Sequence, residues 1–107
     1  MKQLPLLTDL NLYLYPNKIL FYKAAVNFSI RVVDHNGFPI NDARIFLNRT
    51  PLLDPWHDTR YTDDDGWADC EYDDCFGCDK VELGVEIKGV DMGTHLFRDG
   101  STHSFTI

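Results

Sequence analysis

The feature that most constrains this chain is a hydrophobic period of two residues. From Val26 to Val32 the order Val26, Asn27, Phe28, Ser29, Ile30, Arg31, Val32 places the four apolar residues on one side and the three polar ones on the other. Successive side chains of a β-strand point to opposite faces, so this run reads as a strand with one buried face. The same period recurs in Ala43, Ile45 and Leu47 against Arg44, Phe46 and Asn48. It returns within 66–72, where Ala68, Cys70 and Tyr72 alternate with Trp67, Asp69 and Glu71, and in Val81, Leu83, Val85 and Ile87 against Glu82, Gly84, Glu86 and Lys88. Residues 104–107 end the chain with Phe105 and Ile107 inward. Near the N-terminus Leu10, Leu12 and Leu14 alternate with Asn11, Tyr13 and Tyr15, and Pro16-Asn17 breaks the run before Ile19 to Phe21, so residues 1–17 are expected to form an N-terminal strand or arm. No longer segment carries capped apolar spacing at i, i+3, i+4 and i+7, which leaves no predicted helix. About seven short strands bounded by Gly, Pro, Asn or Asp predict an all-β, immunoglobulin-like antiparallel β-sandwich. Residues 49–61, with Pro51, Pro55 and Trp56, lack the period and are expected to be a long surface loop.

Size and charge then exclude whole classes. A chain of 107 residues supports one core, so residues 1–107 are expected to be a single domain. Ten Lys and Arg against 17 Asp and Glu give a net charge of −7. That field repels phosphate backbones, so nucleic acid is not an expected partner. No apolar run approaches the roughly 20 residues that cross a bilayer, and no signal peptide is visible, so membrane insertion is not expected. Two origins fit such a chain: a domain of a longer cell-envelope protein, or a small virion protein that needs no secretion signal, the initial Met favouring the second.

Two phrases carry a resemblance. Val32-Val33-Asp34-His35-Asn36-Gly37-Phe38-Pro39-Ile40-Asn41-Asp42-Ala43-Arg44-Ile45 is similar to the V-x-D-x-x-G-x-P-V-x-x-A-x-V stretch of bacterial and archaeal immunoglobulin-like domains, both the invasin and intimin type and the carboxypeptidase-regulatory, transthyretin-like type. Tyr61-Thr62-Asp63-Asp64-Asp65-Gly66-Trp67-Ala68 resembles their T-D-x-x-G-x-A turn. Both are turn chemistry: Gly37 and Gly66 tolerate positive φ, Pro39 presets φ, and Asp34 and Asp63 accept backbone N–H groups. The resemblance implies a sandwich. It leaves function open, because such domains serve as adhesin stalks, enzyme appendages and virion ornaments. Residues 72–80 depart from the pattern in being rich in Cys and Asp.

Cys70 alternates toward the expected core, where a thiol behaves as a small hydrophobe. Cys75 and Cys78 have a two-residue spacing that closes a small disulfide ring, stays as unpaired turn thiols, or offers two thiolates to Zn²⁺. Nine acidic residues crowd 58–79, and Asp63-x-Asp65-Gly66 is similar to the opening of a calcium loop, although the bidentate Glu of an EF-hand is missing. Cys75, Cys78, Asp63 and Asp65 are thus the candidate ligands for Zn²⁺ or Ca²⁺, against the plain alternative of an acidic rim that serves the turn. No cofactor is otherwise expected. His57 beside Asp54 and Asp58 is the one acid/base pair the sequence offers, and neighbours in a Pro-containing loop more often shape a turn than work as a dyad. Trp67, Phe46, Tyr13 and Tyr15 are expected to point away from the core, with Trp56 in the loop, as candidate binding residues.

These observations predict a non-catalytic module displayed on a virion or cell surface, binding a protein or glycan, with free sheet edges as a route to self-association or assembly on a larger particle. A metal-stabilised binding protein and an accessory domain of a carbohydrate-active enzyme are the alternatives.

Overall fold

The computed structural model describes residues 25–50 and 55–107. The strands expected within 10–21, with Tyr13 and Tyr15, and the carboxylate of Asp54, lie outside the described residues. Seven strands follow in order: β1 (Val26–Val33), β2 (Arg44–Arg49), β3 (Trp56–Tyr61), β4 (Trp67–Tyr72), β5 (Lys80–Ile87), β6 (Val90–Arg98) and β7 (Ser101–Thr106). They form two sheets, β4-β1-β7 and β3-β2-β5-β6, packed as an all-β sandwich. This order differs from that of antibody constant domains, in which the first, second, fifth and fourth strands share a sheet. One ladder also departs from the antiparallel expectation: β1 and β7 run parallel, with Ile30 opposite His103, whereas β1 and β4 are antiparallel, with Phe28 opposite Cys70.

The alternation does what burial of one face requires. Val26, Phe28, Ile30 and Val32 of β1 meet Ile45 and Leu47 of β2 and Val81, Leu83, Val85 and Ile87 of β5 in one core, closed by Ala43, Ala68, Cys70, Tyr72, Phe97 and Phe105. Phe28 and Phe97 stack across the two sheets with ring centroids 4.2 Å apart.

Two strands lie where the sequence predicted none. The expected loop over 49–61 is a strand from Trp56 onward. β3 is an edge strand whose inward residues are Trp56, Asp58 and Arg60, as its register against Arg49, Leu47 and Ile45 requires. Its inner face is filled by amphipathic and charged side chains, so no apolar alternation marks it. The second is β6, where Gly84 pairs Thr94 and Glu86 pairs Asp91, so that Met92 and Gly93 face the single residue Val85 in a bulge. Gly93 takes φ +85° there, and Asp91 Oδ1 accepts its N–H at 2.8 Å. The extra residue shifts the period in mid-strand and hides it from a pattern reading.

The two open sides of the sandwich are closed by polar-tipped groups. On one side Arg60 Nε donates to Asp58 Oδ2 at 2.8 Å and Arg60 Nη1 to the Asp69 carbonyl at 3.1 Å, tying β3 to β4. On the other, His95 stands edge-on to Phe105 at 4.9 Å and His103 edge-on to Phe97 at 4.6 Å. Burial disfavours the His103 imidazolium and His95 adds to this, so His103 titrates below its ordinary value. The unfolded chain therefore takes up this proton near pH 6.5 while the folded chain resists it, and stability falls as pH drops below that point. We expect the urea midpoint to decline between pH 7.5 and 5.5, and to decline less in His103→Gln. An equal decline in both proteins would contradict this source of acid sensitivity.

Candidate binding site at the loop end

Strand directions sort the connections between two ends. The β1–β2, β3–β4 and β5–β6 turns share one end, and the β2–β3, β4–β5 and β6–β7 connections share the other. The first end is tightly stitched. Thr62 Oγ1 accepts from the Ala43 N–H at 2.8 Å and donates to the Ile40 carbonyl at 2.6 Å, and Val32 N–H donates to the Gly66 carbonyl at 2.8 Å. Phe38, Tyr61 and Val90 are exposed at this end.

The second end is built differently. Residues 73–79 lead from Tyr72 to Lys80, and Cys75 and Cys78 close a disulfide ring with Cα atoms 6.0 Å apart. Gly77 supplies the positive φ of +74° that so small a ring demands. Phe76, at the tip of the ring, is 69% exposed. The loop is held at its base. Trp56 Nε1–H donates to Asp73 Oδ1 at 3.2 Å, the Trp56 ring stands edge-on to Tyr72 at 4.8 Å, and the Tyr72 hydroxyl donates to the Asp74 carbonyl at 3.4 Å. On its far side the Asp99 N–H donates to the Asp79 carbonyl at 2.8 Å, which joins the loop to the β6–β7 turn.

Beneath this loop lies an open cavity of about 610 Å³. Its wall carries Tyr72 and Val81 together with the half-cystines Cys75 and Cys78, and its charged groups are Arg49, Lys80, Asp74 and Glu82. The Arg49 guanidinium sits 6.0 Å from the centre of the Tyr72 ring, a cation–π contact that holds it without neutralising it. The one ion pair among the described residues is Asp58 with Arg60, so Arg49 and Lys80 carry no carboxylate partner there. Arg49 and Lys80 share this cavity with the carboxyl groups of Asp74 and Glu82.

The residues singled out in the sequence are scattered by the fold. Trp56 is neither in a loop nor outward: it packs inward on Tyr72 as part of the cavity's support. Phe46 and Trp67 lie on the outer faces of opposite sheets and form no common site. Phe46 is flanked by the Arg44 guanidinium at 5.3 Å and stacked on His57 at 5.8 Å, while Trp67 lies under the Arg31 guanidinium at 5.8 Å. Of the two carboxylates expected beside His57, Asp54 lies outside the described residues and Asp58 is turned away. Neighbours on a strand face opposite ways, so His57 is outward on Phe46 while Asp58 is inward on Arg60.

The candidate metal ligands do not meet. Asp63 and Asp65 precede β4 and Cys75 and Cys78 follow it, across a six-residue strand that spans about 20 Å at roughly 3.3 Å per residue. Asp63 Oδ1 is occupied by the N–H groups of Asp65 at 2.9 Å and Trp67 at 3.0 Å, the cysteines are bonded to each other, and no group of three metal-ligating side chains forms among the described residues. Cys70 is buried, which pushes its thiol up to about 12 despite the nearby Arg60, and leaves it unreactive.

Arg49 and Lys80 are the site residues that sequence reading missed. Each sits at a strand terminus, and only the fold brings them together. The unusual composition of 72–80 was the available signal. Compared with known proteins, the chain matches no family model and no curated sequence.

Proposed function

We propose that this domain is a non-catalytic binding module that recognises its partner with the loop end, using the cavity under the disulfide ring. The observation that carries this reading is the placement of Arg49 and Lys80, unpaired among the described residues, beside Tyr72 in a cavity of about 610 Å³. That size is within the range of small-ligand sites, and the loop above it is braced before any ligand arrives, so binding orders little. The turn phrases around Gly37 and Gly66 support kinship with immunoglobulin-like display domains. On that kinship the module is carried on a virion or cell surface and meets a protein or glycan there.

The test is a multimerised form of the intact chain, offered to a glycan array and to intact cell surfaces. Saturable retention on one class of surface, without turnover of the retained sugar, is the expected result. Absence of saturable retention, or release of a cleaved product, would overturn the assignment.

A further inference from the structure

We infer that the free edge of β7 is a docking edge for the chain's own N-terminal segment, with residues 10–15 adding as an antiparallel fourth strand of the β4-β1-β7 sheet. The inference is independent of binding at the loop end. It starts from the state of the sheet edges. Folded β-proteins guard a free edge with charges, bulges or covering groups. Three of the four edges here are guarded. β3 turns Asp58 and Arg60 inward. On β4 the Trp67 N–H donates to Asp63 Oδ1 at 3.0 Å, and the Asp69 carbonyl accepts from Arg60 Nη1 at 3.1 Å. β6 carries its bulge, and its Gly93 N–H, Met92 carbonyl and Arg98 N–H are engaged by the side chains of Asp91, His95 and Ser101.

β7 has no such guard. Its residues, Ser101 to Thr106, include no Asp, Glu, Lys or Arg. The Ile107 N–H donates to the Val33 carbonyl at 3.0 Å, and the main-chain groups of alternate strand residues point the same way, so Ser101, His103 and Phe105 face β1. The N–H and C=O groups of Thr102, Ser104 and Thr106 therefore face the open side, where no strand pairs with them among the described residues.

The occupant follows from where the rest of the chain attaches. β1 begins beside the start of β7: the Asn27 N–H donates to Asp99 Oδ1 at 2.9 Å, and the Asn27 carbonyl accepts from the Gly100 N–H at 2.7 Å. Twenty-four residues precede the described chain at that corner. Among them Leu10, Leu12 and Leu14 alternate with Asn11, Tyr13 and Tyr15, and Pro16, which cannot donate to a ladder, ends the run. β1 and β7 run parallel from this corner, so a strand that feeds β1 from the far side of β7 runs antiparallel to β7. Residues 16–24 reach up to about 30 Å, whereas the step across β7 to β1 is two strand spacings, about 10 Å. The alternation then puts the leucines on the inner side, with Phe105 and His103, and the tyrosines outside. The covalent tether holds the segment at high local concentration beside its edge.

The experiment is amide hydrogen exchange with NOE spectroscopy on the full chain. The amides of Thr102, Ser104 and Thr106 are expected to exchange at least 100-fold more slowly than in an unstructured peptide, and NOEs should join residues 10–15 to 102–106. In the double variant Leu12→Pro with Tyr13→Pro, one proline faces β7 in either register. The three amides should then exchange at least tenfold faster, while those of Ile30 and Val85 keep their protection. Mixing ¹⁵N-labelled with ¹³C-labelled chains distinguishes the occupants. Contacts confined to one chain support the inference, whereas contacts between chains, from residues 10–15 or from β7 of a second copy, would overturn it. Fast exchange at the three amides, or equal protection in the folded double variant, would overturn it as well. The NOEs and exchange rates of the unmodified chain decide the question if the double variant does not fold.

Discussion

Phe97→Ala is expected to lower the unfolding free energy by about 3–5 kcal/mol. Phe97 is fully buried, stacks on Phe28 at 4.2 Å and receives the edge of His103 at 4.6 Å. It is also the one aromatic of the bulged edge strand β6 that reaches the centre of the core, so its removal loosens the contact between the two sheets. Neighbouring side chains belong to two stiff ladders and cannot collapse into the space, which puts the cost in the upper part of the range for such truncations. A domain of this size has about 5–15 kcal/mol in total, so the variant sits close to its unfolding threshold at room temperature. Urea denaturation followed by fluorescence should show a large fall in midpoint with an unchanged slope. A loss below about 1 kcal/mol would mean that Phe97 is not a keystone of the core.

Gly66→Ala is expected to cost about 3 kcal/mol, from about 1–2 for the left-handed backbone of a residue with a Cβ and a further 1–3 for the clash. Gly66 has φ +81°, and an added Cβ would lie 2.6 Å from the Val32 carbonyl oxygen and 3.1 Å from Pro39 Cβ. The first of these atoms is backbone and already accepts the Ile40 N–H at 3.0 Å, so it cannot retreat without breaking the corner. Gly37 provides the internal control. Its φ of +84° is as left-handed, but nothing lies within 4 Å of its Cβ position. Gly37→Ala should therefore lose only the backbone part, about 1–2 kcal/mol. Thermal melts of the two variants side by side measure the difference, and equal losses would show that the close approach to Val32 contributes nothing.

That corner also explains why so much of the fold was legible. The phrases around Gly37 and Gly66 are far apart in the chain, yet they meet through Thr62, which binds Ala43 and Ile40, and through the bond from Val32 to Gly66. Turn residues fixed by local chemistry announce themselves in sequence, as do strands such as β1 and β5 whose inner faces are wholly apolar. β3 and β6 were hidden for opposite reasons. β3 turns a half-exposed Asp–Arg pair and an indole inward where a pattern reading looks for aliphatics. β6 has the right residues but one too many, at the Met92–Gly93 bulge. The parallel ladder between β1 and β7 depends on which side of the sandwich the last turn crosses, and no local pattern encodes that.

The candidate site was less legible still. The composition of 72–80 pointed to the disulfide loop. Arg49 and Lys80, however, end one strand and begin another, 31 positions apart, and only sheet register brings them to one cavity. The alternation placed Trp67 and Phe46 outward, where the structure has them, but on opposite sheets, and Trp56 turns inward from a strand that was expected to be a loop.

The claim on which the account turns is that recognition belongs to the loop end rather than to the outer sheet faces. It is tested most directly by comparing surface retention of the multimerised protein carrying Phe76→Ser and Lys80→Gln with that carrying Trp67→Ser and Phe46→Ser. The account predicts at least a tenfold loss for the loop-end pair and less than a twofold change for the face pair. The reverse order, with the face variants losing retention and the loop-end variants keeping it, would contradict it.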